Sequence, residues 1–186
     1  MPPINRSTAV DAKEYFHSTL NVPIANAGFY VIPPFLSMEI LKKESAYDSE
    51  LFLNAPLAKF GEVFGADVVL FTIIHKWDKT YGMVYVEVEY IVKSVKTNEI
   101  LYIRKGQINY NTSVSSSGGG LAGALISVAA TAIATAATKY VDVARIANSY
   151  TFKDLPSGKY SPINPLESEE FAGPKEFKVT LNSQYR

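Results

Sequence analysis

The middle of the chain alternates apolar and polar residues in the way that β-strands do. Residues 66–74 form the densest apolar run, rich in β-branched side chains, as in a strand that is covered on both faces. Residues 83–95 and 100–111 alternate with a period of two, and turn residues separate the three runs. The pattern therefore predicts an antiparallel meander over residues 66–111.

Helical spacing dominates the sequence before this meander. Apolar residues recur every three or four positions over residues 11–27, and Pro23 inside that pattern predicts a kink. A short buried strand is expected at residues 29–32. Residues 36–44 and 54–65 predict two further helices, and a glycine ends the second of them.

A long helix is predicted after a polar Ser- and Gly-rich loop, over residues 121–149. The segment is rich in alanine, and its first half carries no charge. Polar residues, among them Thr131 and Thr135, recur every three or four positions and form a stripe along one side. This stripe argues against a membrane span. We expect a helix that packs on the sheet through its alanine-rich side, with Ala132 and Ala136, and turns the threonines outward.

Together these elements predict an α/β (α+β) fold in a single domain. A mixed sheet contains the antiparallel meander, about residues 66–111, and helices pack on it. The domain is expected to span residues 1–160. Residues 161–186 form a C-terminal tail that contains Pro and Gly, and residues 177–181 within it could add an edge strand.

The composition removes several classes of function. The 186 residues carry 18 basic and 18 acidic side chains, and this zero net charge weakens any interpretation as a nucleic-acid-binding protein. The chain contains no cysteine, which excludes disulfides, thiol catalysis, Fe–S clusters and thiolate zinc sites within it.

One glycine pattern resembles a dinucleotide-binding fingerprint. Gly118, Gly120 and Gly123 have the spacing G-x-G-x-x-G directly before the predicted helix. That fingerprint needs a strand that ends at the first glycine and a second strand after the helix. Here residues 111–117 separate the strand from Gly118, and a Pro-rich tail follows the helix. We therefore interpret the glycines as a loop that leads into the helix and expect no cofactor.

Acid–base chemistry has few candidate residues. Glu87 and Glu89 lie on one face of a predicted strand, with side chains roughly 6.5–7 Å apart. Two carboxylates so placed could act as acid and base, but a solvated strand face is the more common explanation. His75 ends the apolar run without an identifiable partner, and no clustered metal ligands are seen. The chain is therefore predicted not to be an enzyme.

Aromatic residues mark one end of the predicted hairpin. Residues 77–82 are expected to form its turn, and Trp77, Tyr81 and Tyr85 crowd that end. Exposed Tyr and Trp favour contacts with proteins or glycans, so these three side chains are a candidate partner or ligand surface. Ordinary core packing is the alternative explanation.

Several patches resemble a known family when they are taken in order. They cover Pro-Pro-Ile-Asn-Arg-Ser at residues 2–7, the segment 23–33, Phe-Gly-Ala-Asp at 64–67 and Leu-Pro-Ser-Gly-Lys-Tyr at 155–160. This combination resembles bacterial lipoproteins of unknown function, the neisserial GNA type. Their fold is similar to the TolB N-terminal domain, the curli-secretion lipoprotein and the lipoprotein activator of penicillin-binding protein. The resemblance covers roughly residues 2–160.

The resemblance implies a periplasmic accessory protein anchored to the outer membrane, with no known catalytic residues. It favours a non-enzymatic lipoprotein that acts by protein–protein interaction in cell-envelope or secretion-complex assembly. The partner would be an envelope protein, such as a curli-secretion-like lipoprotein, or further copies of the chain. A periplasmic small-molecule or glycan-binding module is the alternative.

The resemblance also leads to an expectation about the N-terminus. Residues 2–7 resemble the segment that follows the family's first strand, so that strand, a signal peptide and a lipidated cysteine are expected to precede residue 1. The membrane would then be reached only through that lipid anchor, and no contact with nucleic acid is expected.

Overall fold

Five strands form one mixed sheet in the computed structural model, which describes residues 1–113, 120–162, 172–182 and 184. The central three strands are antiparallel, and each outer strand runs parallel to its neighbour. In spatial order the strands are β1 Ile4–Asn5, β2 Val68–Thr80, β3 Met83–Ser94, β4 Ile100–Asn111 and β5 Glu176–Leu181. The predicted mixed sheet with its antiparallel meander is confirmed.

Helices cover both faces of this sheet. The helices are α1 Ala12–Thr19, α2 Asn21–Asn26, α3 Pro34–Lys43, α4 Ala58–Phe64, α5 Gly120–Ala137 and α6 Tyr140–Thr151, with a 3₁₀ turn at Ser49–Phe52. Apolar residues of α1 and α6 pack on one face, and those of α3 and α4 pack on the other, where they cover the start of β2.

Burial along β3 follows the alternation in the sequence. Val84, Val86, Val88 and Tyr90 are each 2% exposed or less, whereas the side chains between them are partly exposed. The buried set faces α1 and α6, and the larger of the two apolar clusters among the described residues lies between them. One face of the meander is therefore core, as the period of two predicts.

A bulge in β2 changes which residues face the core. Ile74 pairs with Val88 and Lys76 pairs with Glu87, so His75 is an extra residue in the ladder. Beyond the bulge the strand continues to Thr80. The predicted turn at residues 77–82 is therefore wrong over most of its length, because the turn is confined to residues 81 and 82.

Two segments before the meander differ from their predictions. Residues 29–32 are not a strand, and the Tyr30 side chain is 78% exposed. The helix expected from residue 54 begins at Ala58, although Gly65 ends it in a left-handed conformation as predicted. The kink expected at Pro23 is instead a break into α1 and α2 at Leu20.

The two ends of the chain both contribute strands. Ile4–Asn5, expected to follow a strand, itself pairs in parallel with Ile73 and Ile74 of β2. Within the predicted tail, Glu176–Leu181 joins the sheet beside β4. The segment that was expected to be one long helix, residues 121–149, is divided near Lys139 into α5 and α6.

Candidate functional site

Trp77 is a core residue, not part of a surface. Its side chain is 3% exposed and packs edge-on against Phe16 and Tyr140, with ring centroids 5.4 and 5.7 Å away. Its Nε1 has no hydrogen-bond partner among the described residues. The bulge at His75 places residue 77 on the core face of β2, so the predicted aromatic surface lacks its tryptophan.

The two tyrosines of that predicted surface contact different parts of the molecule. Tyr81, in the β2–β3 turn, is 59% exposed, and its hydroxyl donates to the carbonyl of Val128 in α5 at 3.1 Å. Tyr85 lies on the face of β3 opposite the buried valines, and the Lys76 ammonium is 5.7 Å from its ring centroid. The structure therefore does not bring Trp77, Tyr81 and Tyr85 together into one patch.

The two carboxylates of β3 each contact a side chain from a neighbouring strand. Glu89 Oε2 lies 2.8 Å from His75 Nε2, and Glu87 Oε1 lies 2.6 Å from Lys105 Nζ. The hydrogen bond from Lys105 holds the pKa of the Glu87 carboxyl below its ordinary value. These contacts link β2, β3 and β4 across the sheet face. The carboxylates and His75 therefore contribute to holding the sheet together.

Buried polar groups on the core face join α6 to α1 and to the sheet. Asn148 is fully buried, and its Nδ2 donates to Thr19 Oγ1 at 2.9 Å and to the Phe16 carbonyl at 3.2 Å. Its Oδ1 accepts a hydrogen bond from the Tyr90 hydroxyl, and burial raises the pKa of Tyr90 well above its ordinary value. The polar groups of Asn148 are therefore used in helix packing.

The outward side of α5 is apolar, which reverses the orientation predicted from the sequence. Val128 is 54% exposed and Ile133 is 70% exposed, whereas Thr131 and Thr135 are 4% and 6% exposed. We call the exposed residues of this helix the α5 apolar face; those described are Ala124, Val128, Ala129, Ala132, Ile133, Ala136 and Ala137. The helix contains no charged residue. An exposed apolar strip of this kind is typical of an interaction site.

Hydrogen bonds of threonine hydroxyls attach the inward side of α5 to the sheet. Thr135 Oγ1 donates to the Thr131 carbonyl at 2.7 Å and accepts from the Gly82 N–H at 3.1 Å. It also lies 2.7 Å from Thr112 Oγ1, which is the donor of that pair because the Thr135 proton is already used. The polar stripe thus faces the β2–β3 turn, whose backbone needs partners, and the apolar residues are left outside.

The glycine pattern before α5 lies partly outside the described residues, since Gly118 is not among them. Gly120 begins α5, and α6 follows α5 in the chain without an intervening strand. The strand–helix–strand context of a dinucleotide site is therefore missing from the part of the chain that is described.

A shallow, open cavity of about 320 Å³ lies between the C-terminal end of α5, the start of α6 and β4. Its lining is half polar and half apolar. Burial and the nearby Asp142 carboxylate raise the pKa of Tyr110 in its wall. The lining residues are Tyr110, Ala134, Ala137, Thr138, Lys139 and Asp142.

The described residues contain no group of three or more His, Asp or Glu side chains arranged to hold a metal ion. Among the helices that they form, none combines the length and the apolar character needed to cross a bilayer.

The fold and these surfaces define a mixed-sheet α/β domain with the uncharged helix α5 exposed at its side. The chain belongs to the GNA1162-like family of lipoproteins, whose model matches residues 1–159. The family resemblance seen in the sequence is thereby confirmed. No curated protein matches the sequence significantly.

Two solved structures are similar to the chain. The lipoprotein GNA1162 from Neisseria meningitidis matches with a TM-score of 0.56 and 22% sequence identity, over 72% of this chain and 94% of that chain. A PelC dodecamer from Paraburkholderia phytofirmans matches with a TM-score of 0.39 and 15% identity, over 77% of this chain and 82% of that chain. The first likeness supports the fold assignment.

Proposed function

We propose that this chain is a non-enzymatic accessory lipoprotein of the periplasm, anchored at the outer membrane, that acts through protein–protein contacts. The α5 apolar face is the surface that makes the contact. Its partner is an envelope or secretion-complex protein with an apolar, uncharged groove that accepts one side of a helix. Neither a cofactor nor nucleic acid takes part.

The observation that carries this proposal is the inverted amphipathicity of α5. Val128 and Ile133 are 54% and 70% exposed, so a partner that covered them would gain roughly 1–2 kcal/mol for each side chain. The threonines of this helix face inward and its aliphatic residues face outward. Its outward side is therefore suited to bind a partner protein. Because the face carries no charge, contact with it should depend little on ionic strength.

The contacts of the candidate acid–base residues support a non-enzymatic role. Glu87 is paired with Lys105, and Glu89 is paired with His75. None of these groups lines the cavity beside α5. Membership of a lipoprotein family supports a location in the envelope.

Co-purification from envelope membranes tests the proposal. Ile133→Lys places a charge on the α5 apolar face, and Val10→Lys is the matched control at a position that is 84% exposed in the segment before α1. We expect wild type and the Val10 variant to retain a defined partner at high salt, and the Ile133 variant to lose it with unchanged thermal stability. Equal recovery with both variants would contradict the proposal.

The cavity beside α5 favours the alternative, a small-molecule or glycan-binding module. Lys139, Asp142 and the Tyr110 hydroxyl could bind hydroxyl or charged groups of a ligand. Asp142→Ala should then abolish glycan binding in a calorimetric titration, while Ile133→Lys should leave it intact. Binding of a glycan with that variant pattern would favour this function over the first.

A further inference from the structure

One end of the sheet, where β2 and β4 begin, is also the end that α6 reaches. Strands β2 and β4 start at the same end because β3 is antiparallel to both. Helix α6 runs toward that end. Its first residue, Tyr140, contacts Trp77 near the end of β2, and Phe152, just after the helix, stacks on Tyr102 near the start of β4. The segment that follows α6 therefore lies at the starting end of β2 and β4.

Two loops meet at this end and are fixed by backbone hydrogen bonds. The Gly158 N–H donates to the Ala27 carbonyl at 2.7 Å, and the Tyr160 N–H donates to the Gly28 carbonyl at 2.8 Å. A Cβ atom at Gly158 would lie 2.6 Å from the Gly28 oxygen, so the two backbones cross in direct contact. The crossing places the Tyr30 and Tyr160 rings side by side, with centroids 6.5 Å apart.

Six apolar side chains from three segments at this end are each at least 50% exposed. Phe35 follows Tyr30 by five residues, so their Cα atoms are at most ~17 Å apart. We call the six the apolar end patch: Tyr30, Phe35, Leu36, Ile100, Leu101 and Tyr160. A covered aromatic side chain buries about 150–250 Å², so the patch exposes on the order of 500 Å² or more. Exposed apolar area of this size marks a contact with a protein or a membrane.

The composition of the apolar end patch suits a lipid surface. Tyrosine combines an apolar ring with a polar hydroxyl, and it is enriched where hydrocarbon meets water in a bilayer. The Lys159 ammonium lies 5.7 Å from the Tyr160 ring centroid, so it can contact a lipid phosphate while the ring enters the acyl boundary. Helix α5 contains neither tyrosine nor a charged residue, so the α5 apolar face lacks both features.

The position of residue 1 gives an independent reason to place lipid at this end. The Met1 nitrogen lies 3.2 Å from the Leu70 carbonyl oxygen, close to the start of β2. The chain belongs to a family of lipoproteins, and the proposed function attaches it to a membrane on the N-terminal side of residue 1. Such an attachment would bring the apolar end patch toward the bilayer.

We propose that the apolar end patch is a membrane-contact surface whose side chains enter the interface of a phospholipid bilayer. This inference rests on the membrane location in the proposed function, and it adds a contact that the folded domain makes itself. Strand β2 has 13 residues and spans about 40 Å. The β2–β3 turn, where the Tyr81 hydroxyl binds α5, is therefore held away from the lipid and faces partner proteins.

Fluorescence of single-cysteine variants tests the proposal, because the chain has no cysteine of its own. Leu36→Cys and Leu101→Cys place a polarity-sensitive label on two segments of the apolar end patch. Val10→Cys, before α1, and Ile133→Cys, in α5, are the exposed controls. On addition of vesicles of phosphatidylethanolamine and phosphatidylglycerol, we expect the emission of the two patch labels to shift to the blue and that of both controls to stay unchanged. The proposal is overturned if the patch labels do not shift, or if the label at position 133 shifts equally.

Vesicle flotation of unlabelled protein gives a second measurement. Phe35→Ser removes one exposed ring and should weaken partition into the same vesicles ~10-fold with an unchanged Tm, whereas the matched control Val10→Ser should partition like wild type. Equal partition of both variants would also overturn the proposal.

The two proposals can fail separately. Ile133→Lys should leave vesicle partition unchanged, because α5 is not part of the apolar end patch. Loss of vesicle binding by this variant would assign the lipid contact to α5 and overturn the inference. A chain that keeps its envelope partner through α5 but does not bind vesicles would contradict the membrane contact alone. A chain that binds vesicles through the patch but has no partner at α5 would contradict the proposed protein contact alone.

Discussion

Replacing Thr135 by valine removes the hydroxyl that joins α5 to the β2–β3 turn, and we expect it to destabilise the protein. Valine has nearly the shape of threonine, so the change tests the hydrogen bonds and little else. The matched control is Ala136→Leu, one residue along the same helix. Ala136 is exposed in the structure, whereas an alanine-rich packing side would bury it.

The size of the effect follows from the partners that lose a bond. The Gly82 N–H, 3.1 Å from Thr135 Oγ1, and the Thr112 hydroxyl, 2.7 Å away, are both left without that acceptor. A buried polar group without a partner costs about 1–3 kcal/mol. We expect about 2 kcal/mol for Thr135→Val, which corresponds to a fall in Tm of about 4–8 °C for a chain of this size. Ala136→Leu should stay within about 0.5 kcal/mol of wild type.

Equilibrium unfolding in urea measures both variants. Trp77 is the single tryptophan and is buried in the core, so its fluorescence reports the loss of tertiary packing, and circular dichroism follows the helices. If Ala136→Leu cost more than 1 kcal/mol while Thr135→Val were neutral, α5 would pack through its alanines and the reasoning about its orientation would fail.

Three further predictions concern the core, pH and ligands. Asn148→Ala should cost about 2–4 kcal/mol in the same urea assay, because it removes three hydrogen bonds inside the core; a loss below 1 kcal/mol would contradict this role. Burial, with smaller contributions from the N-terminal ammonium and Lys13, lowers the pKa of His17 from 6.5 to about 4. The unfolded chain therefore binds more protons than the folded one between these values, and stability should fall as the pH falls from 6.5 to about 4. His17→Gln should reduce that slope, and an unchanged slope would refute the assignment. NAD, ATP and zinc at millimolar levels should not raise Tm, and a rise of several degrees with any of them would count against the absence of a cofactor site.

The meander could be predicted from the sequence because a half-buried strand shows its burial in its own residues. Val84, Val86, Val88 and Tyr90 alternate with polar neighbours, and no distant contact is needed to assign the face. The helix end at Gly65 could also be predicted, because a glycine readily adopts the positive φ that ends a helix.

The orientation of α5 could not be predicted because its partner lies far away in the chain. A polar stripe normally faces water, but here the Gly82 N–H and the Thr112 hydroxyl bind that stripe from the hairpin. Threonine is short enough to be buried when its hydroxyl has such partners. Nothing in residues 120–137 alone reveals them.

The burial of Trp77, which was assigned to an aromatic surface, could not be predicted for a different reason. His75 is one extra residue in β2, so the side chains after it lie on the opposite face from the one that strict alternation predicts. Trp77 therefore lies on the core face. The partner of His75, Glu89, was missed because cross-strand register depends on pairing and not on spacing along one strand. Residues 177–181 were expected to form an edge strand, but their pairing with β4 could not be predicted, since a parallel partner can lie anywhere in the chain.

The central claim is that the α5 apolar face is covered by a partner in the envelope, and thiol accessibility tests it most directly. Ile133→Cys and the control Val10→Cys each place one thiol at a position exposed in the isolated protein, 70% and 84% for the native side chains. We predict that a maleimide labels both thiols in purified protein, but that intact envelopes protect the thiol at position 133 and not the thiol at position 10. Equal labelling of both thiols in the envelope would contradict the claim.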